Sequence, residues 1–121
     1  MQAFDEGVST LFPKQHRLLS PADFKTVFAN SKRFDSRDFT LFVSAGVKEH
    51  SRLGMAISKK NIKHAVDRNQ IKRIARESFR HYPWCRQLDI VLIGKRQMKQ
   101  LNPRELRQRL DNAWSRIEQH Y

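Results

Sequence analysis

The segment between residues 59 and 80 is the most strongly basic part of the chain. It contains eight Lys and Arg residues against two acidic ones, which accounts for half of the net charge of +12. At about 100° per residue, its helical projection gathers most of these cations and one asparagine in an arc of roughly 140°. The residues of this cationic face, with the two lysines that precede it, are Lys59, Lys60, Arg68, Asn69, Lys72, Arg73, Arg76 and Arg80. Guanidinium and ammonium groups bind phosphate oxygens, so the pattern predicts a helix that contacts nucleic acid.

A solvated helix face is the alternative interpretation of this pattern. An exposed structural helix usually places Glu residues four positions from Lys or Arg, because such pairs relieve the repulsion among like charges. Only Asp67 and Glu77 are available within the segment. The shortage of counter-charge favours an anionic partner that supplies it.

A helix with one apolar face must hold these cations. Residues 65–81 contain neither Gly nor Pro and stop before Pro83, which predicts a helix over this range. Ile71, Ile74 and Ala75 fall outside the basic arc, together with Ser78. These side chains are expected to pack on the rest of the protein and to turn the cations outward.

Two strands are predicted before this helix. Residues 37–44 alternate with period two and place Phe39, Leu41 and Val43 on one face. Residues 53–58 form a second apolar stretch after a turn at Gly46. The short connection predicts that these two strands pair antiparallel in a hairpin.

Further elements precede and follow these strands. Residues 89–94 are apolar on successive positions, which predicts a central strand. A short amphipathic helix is predicted after Ser20 and Pro21, and a last helix after Asn102 and Pro103. The element order αββαβα predicts an α+β fold in which helices cover a small sheet.

Length and composition limit the organisation of the chain and its partners. Its 121 residues predict a single domain over residues 17–121, preceded by an irregular segment over residues 1–16. A net charge of +12 favours a polyanionic partner. The one cysteine, Cys85, excludes an intramolecular disulfide and fits a reducing compartment, so a cytoplasmic protein is expected. No apolar run is long enough to span a membrane.

The side chains offer little for catalysis by the protein itself. A metal-dependent nuclease needs clustered carboxylates, whereas Asp5 and Glu6 are the only adjacent acidic pair. The five His residues lack the spacing with Cys85 that would hold zinc, and no Gly-rich phosphate loop is present. We therefore expect no catalytic residue, no metal site and no small-molecule substrate in the protein.

The run from Ser58 to Arg80, and above all residues 65–80 (AVDRNQIKRIARESFR), resembles the signature helix of the bacterial ribonuclease P protein subunit. Residues 12–28, with FPK, RL, DF and VF at matching spacing, are similar to the opening of that family. The resemblance covers roughly residues 11–95. One departure is Gln70, where the family more often has Arg, and this puts an RNA contact at that position in doubt.

This resemblance implies a small protein that binds a large catalytic RNA, in a complex that removes the 5′ leader of precursor tRNA. The RNA cleaves and holds most of the Mg²⁺, so the protein alone is expected to be inactive. The cationic face is expected to contact the catalytic RNA. The family also implies a left-handed βαβ crossover through residues 53–58, 65–81 and 88–94, in a fold similar to the second domain of a small-subunit ribosomal protein.

Strand alternation predicts a second surface on the side away from Phe39, Leu41 and Val43. There Phe42 forms an aromatic floor, the next strand adds only small residues, and the first helix supplies a wall. In the family such a groove takes the single-stranded leader, and base stacking on aromatic rings tolerates many sequences. The residues of this aromatic groove are Phe24, Phe28, Phe42, Ala56 and Ser58. Packing of the two helix phenylalanines in the core is the alternative.

Two other functions are consistent with the same basic helix. A structural RNA-binding protein, for instance of the ribosomal type, would use it without any processing role. A DNA-binding module would place residues 65–81 in a major groove. Co-purification with ribosomal subunits, or preferential binding of duplex DNA, would distinguish these from a ribonuclease P protein.

Overall fold

The structure is a computed structural model and describes residues 21–46 and 49–121. The irregular segment predicted over residues 1–16 lies outside the described residues. The elements are α1 (Pro21–Ala29), β1 (Lys32–Asp35), β2 (Phe39–Ala45), β3 (Arg52–Ala56), α2 (Ala65–His81), β4 (Leu88–Gly94) and α3 (Pro103–His120), with a 3₁₀ helix (Arg96–Gln100) before α3.

An inner position of the sheet is taken by β4, since the strand order is β1-β2-β4-β3. It pairs antiparallel with β2 and parallel with β3. The predicted hairpin between β2 and β3 is therefore wrong, because β4 lies between them. The apolar run of β4 explains this, since a strand covered on both faces buries most apolar area in an inner position. The prediction that this strand is central is confirmed.

An additional strand, β1, was not predicted from the sequence. Of its four residues only Phe34 is partly buried, and the other three are exposed. It pairs antiparallel with β2 at the sheet edge. A short edge strand with charged side chains shows no apolar alternation, and those charges discourage pairing with another chain. The element order is αβββαβα, and the predicted α+β class with a small mixed sheet is confirmed.

The two faces of the sheet have different coverings. Phe39, Leu41 and Val43 of β2 are buried in the core that α2 and α3 complete, as the alternation predicts. On the other face α1 packs over β2 and β4, where Val27 and Val91 are both buried. The helices α1 and α2 thus lie on opposite sides of the sheet.

The core behind α2 is closed by α3. Its first turn has a capping box, in which Glu105 N–H donates to Asn102 Oδ1 at 2.8 Å and Asn102 N–H donates to Glu105 Oε1 at 3.1 Å. The buried stripe of α3 is Leu106, Leu110, Trp114 and Ile117. Trp114 is completely buried and packs edge-to-face on Phe79 of α2, with ring centroids 5.5 Å apart.

Candidate nucleic-acid interface

The apolar face of α2 fixes this helix to α3. Ile71 and Phe79 are buried, and Ser78 beside them is 1% exposed. The Ser78 hydroxyl donates to the Asp111 carboxylate and accepts the indole N–H of Trp114 at 2.9 Å. A buried hydroxyl with both roles filled sets the rotation of α2 about its axis. The opposite side of the helix is consequently turned outward.

The predicted cationic face lies on that outward side. Asn69 and Arg73 are exposed, and Lys72, Arg76 and Arg80 are partly exposed. Within residues 21–46 and 49–121, the side chains of Lys72 and Arg73 have no hydrogen-bond or ion-pair partner. Exposed and partly exposed cations without a counter-charge in the described part of the chain favour anionic groups supplied by a partner.

Arg68, at the start of the cationic face, has a structural contact as well. Its Nη1 donates to the backbone carbonyls of Ile62 at 2.9 Å and Lys63 at 2.8 Å. The sequence pattern could not indicate this bond, because it depends on the path of the preceding loop. Arginine has five N–H donors, so the Nε and Nη2 donors remain for a phosphate.

The loop that leads into α2 carries Lys59 and Lys60, both exposed. It is held by Ser58, whose carbonyl accepts the N–H of Ile62 at 2.9 Å and whose hydroxyl accepts that of Asn61 at 3.1 Å. The Asn61 amide in turn donates to the Gly94 carbonyl at 3.0 Å. The two lysines therefore extend from a turn attached to the end of β4.

Gln70 lies at the margin of the cationic face. It is exposed and lines a shallow cleft with Asp67 and Lys99. An arginine here would lie one turn from Asp67, which would partly neutralise it. Absence of this cation therefore weakens the face less than loss of Lys72 or Arg73 would.

Three cations closely follow β4, namely Lys95, Arg96 and Lys99, and Lys95 is neutralised within the fold. Its Nζ donates to the Asp35 carboxylate at 2.9 Å. Hydrogen bonds from Thr40 and then from Lys95 lower the pKa of Asp35 below its usual value. Arg96 and Lys99 are exposed, so only these two remain to bind an anion.

The predicted aromatic groove lies between α1 and the sheet. Phe28 is 43% exposed and contacts Phe42 edge-to-face, with ring centroids 5.0 Å apart. Phe24 is partly buried against Val27 and Val91. Of the two phenylalanines of α1, Phe28 is therefore the exposed one, and Phe24 mainly anchors the helix to the sheet.

The floor of the groove differs from the prediction because β4 separates β2 from β3. Phe42 and Ala56 lie on either side of β4, in strands about 10 Å apart. Between them lies Ile93, partly exposed and directly opposite Ala56 in the register. The Arg33 guanidinium of β1 lies over the Phe42 ring at 5.9 Å. Ile93 and Arg33 were missed because the sequence indicated neither this strand order nor β1.

A buried arginine holds α1 against the sheet. Arg52 of β3 donates to both carboxylate oxygens of Asp89 in β4, at 3.0 and 2.8 Å, and lies 3.4 Å from Asp23 of α1. Hydrogen bonding to Asp89, together with the charge of both carboxylates, raises the pKa of Arg52 above its usual value. This cluster holds α1, which forms the wall of the groove, in position relative to the sheet that forms its floor.

The described residues contain no group of three or more His, Cys, Asp or Glu side chains that could hold a metal ion. Among the helices of the described residues, none is long and apolar enough to cross a bilayer.

The family model described as Ribonuclease P matches residues 12–118 of the chain. The chain belongs to the ribonuclease P protein family. Its relatives include ribonuclease P protein components of Marinobacter nauticus, 40% identical over 91% of this chain and 84% of that one, and of Histophilus somni, 41% identical over 87% and 89%.

Solved structures support the same assignment. A mutant ribonuclease P protein from Staphylococcus aureus with defective mRNA degradation activity superposes with a TM-score of 0.80 at 28% identity, covering 87% of this chain and 90% of that one. The ribonuclease P protein from Thermotoga maritima superposes with a TM-score of 0.71 at 28% identity, covering 83% and 96%. As a ribonuclease P protein, this chain is a component of a ribonucleoprotein endoribonuclease. The ribosomal-type and DNA-binding alternatives are not supported.

Proposed function

We propose that this ribonuclease P protein binds the catalytic RNA through the cationic face of α2 and the 5′ leader of precursor tRNA through the aromatic groove. The complex then removes the leader by hydrolysis at the RNA active site. The protein positions the catalytic RNA and the precursor tRNA relative to each other but contributes no reacting group. Its proposed location is the cytoplasm, where precursor tRNA is made.

The observation that carries this proposal is the distribution of counter-charge. Arg52 and Arg109 are paired with Asp89 and Asp38, at 2.8 and 2.7 Å. Arg73, by contrast, is exposed on a rigid helix and has no partner in the described part of the chain. The pre-positioned guanidinium group of Arg73 can therefore bind a phosphate of a folded RNA, and this binding is favoured because it releases counterions of that RNA.

The positions of the two surfaces support simultaneous binding of both RNAs. The groove lies on the face of the sheet that α1 covers, whereas α2 packs on the other face. A leader strand over Phe28 and Phe42 therefore leaves α2 accessible to the catalytic RNA. Accessible aromatic rings stack on bases without selecting a sequence, as a processor of many precursors requires.

The proposed role of the protein toward Mg²⁺ is indirect. The described side chains do not form a cluster suited to a divalent ion, so the residues present do not fit a protein-held Mg²⁺ site. We infer that the RNA subunit holds the ions. Cations on the protein lower the repulsion between catalytic RNA and precursor, which reduces the ionic strength that the complex needs.

A cleavage assay at low Mg²⁺ tests this function. Catalytic RNA alone, protein alone and the reconstituted complex are each given labelled precursor tRNA. Only the complex is expected to release the leader efficiently. Raising the Mg²⁺ concentration should reduce the difference in cleavage rate between the complex and the RNA alone. Absence of stimulation, or cleavage by the protein alone, would contradict the proposal.

Phe42→Ala tests the groove separately. Each base stacked on an aromatic ring contributes about 1–3 kcal/mol, so this variant should lower the preference for precursor over mature tRNA by at least about fivefold. Its affinity for the catalytic RNA should stay unchanged. Both are measured by equilibrium binding with the reconstituted complex.

Phe34→Ala is the matched control, because Phe34 lies on a neighbouring strand and packs against the core on the other face. It should leave the precursor preference intact. An equal loss in both variants would place the leader elsewhere.

A further inference from the structure

A second aromatic surface lies at the end of α2, where the chain turns toward β4. A cleft of about 190 Å³ opens there. Its lining includes three aromatic side chains, three basic ones and one acid: Phe79, Tyr82, Trp84, Arg80, Arg86, His50 and Glu49. Its volume is below the roughly 300–1,000 Å³ typical of sites for drug-sized ligands, so it suits a single planar ring.

The rings of this cleft are fixed in position. The Trp84 indole N–H donates to the Phe79 carbonyl at 3.0 Å, and its ring lies 4.9 Å from that of Phe79. Tyr82 contacts Trp84 edge-to-face at 4.7 Å. Burial, and then the charge of Glu118, raise the pKa of Tyr82 above its usual value. Trp84, partly exposed, is therefore a pre-oriented stacking surface beside a neutral phenol.

Arg80 and Arg86 bring positive charge to two rims of the cleft, and Glu49 is the one acid in its lining. Arg80 is the last cation of the cationic face, and Arg86 is exposed at the other rim. Glu118, a second acid just outside the lining, accepts the backbone N–H groups of Cys85 at 2.8 Å and Arg86 at 3.0 Å. Its carboxylate is engaged by the backbone, and the Arg86 guanidinium has no ion pair with another described residue.

We propose that this cleft binds an unpaired nucleotide of the catalytic RNA, with its base stacked on Trp84 and its phosphate at Arg86. The inference rests on the proposed function, because α2 directs the same RNA toward the cleft. An aromatic face between cations matches single-stranded RNA, whose bases are free to stack, whereas paired bases in a helix are not. The protein thus contacts the catalytic RNA beyond the basic helix.

Arg86→Ala tests the phosphate contact in full-length protein with full-length catalytic RNA. Loss of one phosphate contact should weaken binding about fivefold and lower the slope of log K against log salt by about one. Arg116→Ala is the matched control, since Arg116 is also exposed and has no partner among the described residues. It should stay within about twofold of the wild type.

Tryptophan emission tests the stacking contact. The chain has two tryptophans, and Trp114 is completely buried, so quenching of emission by added catalytic RNA should come from Trp84. Trp84→Phe should abolish the quenching. If this variant fails to fold, the quenching of the wild-type protein and the affinity of Arg86→Ala for the catalytic RNA still test the inference.

Three outcomes separate this inference from the proposed function. Quenching together with a selective loss in Arg86→Ala supports the inference. The inference alone is overturned if the catalytic RNA does not quench the emission. It is also overturned if Arg86→Ala binds the RNA as tightly as the control does while Arg73→Ala binds it weakly. If Arg73→Ala and Arg86→Ala both bind the catalytic RNA as tightly as the wild type does, the proposed function is overturned together with this inference.

Discussion

Arg73→Ala is expected to weaken binding of the catalytic RNA at least about tenfold at physiological salt, since a charge-assisted hydrogen bond contributes about 1.5–3 kcal/mol. The slope of log K against log salt should fall by about one. The reason is that Arg73 is exposed and unpaired among the described residues, so its removal breaks no internal contact. Fluorescence anisotropy over a salt series measures both quantities.

The double variant Lys72→Ala/Arg73→Ala should lower the salt slope by about two, because the two cations contact different phosphates. Arg116→Ala is again the control, because it removes one positive charge from α3, as Arg73→Ala does from α2. Unfolding curves of all three variants should superpose on the wild type, since exposed substitutions cost within about 0.5 kcal/mol. An unchanged salt slope in the double variant would remove α2 from the RNA interface.

Arg52→Met is expected to lower the free energy of unfolding by about 3–5 kcal/mol, the cost of leaving a buried charge without its partner. The side chain of Asp89 is only 4% exposed, and both of its oxygens accept from Arg52. Methionine fills much of the same volume but donates no hydrogen bond. Urea denaturation followed by circular dichroism measures the change.

Arg33→Met is the matched control for this variant. It removes the same group from an ion pair on the same sheet, but the side chains of Arg33 and Asp35 are 61% and 50% exposed and 3.8 Å apart. Exposed pairs contribute at most about 1 kcal/mol, so this variant should change stability little. Equal losses in the two variants would show that Asp89 does not depend on Arg52.

The same cluster connects stability to leader binding. Arg52 also holds Asp23 of α1, and α1 carries Phe28 at the groove. Under conditions where Arg52→Met remains folded, its preference for precursor over mature tRNA should therefore fall, while α2 on the other face keeps its affinity for the catalytic RNA.

Local periodicity in the sequence determined much of this protein. The 3.6-residue pattern of residues 65–81 separates the cations from Ile71 and Ser78, and both faces are oriented as predicted. The period of two in β2 likewise predicted that Phe42 lies on the other face of the sheet from Phe39 and Leu41, as the structure has it. Such patterns are readable because they depend on neighbours a few residues apart.

Only the tertiary structure decided which distant residues meet. Strand order depends on pairing between segments dozens of residues apart, so nothing local placed β4 between β2 and β3 or brought Ile93 into the groove. The same holds for individual charges: Lys95 meets Asp35 across the sheet, and Arg52 meets Asp89. A charge is readable from the chain, but its neutralisation depends on what the fold places within about 4 Å.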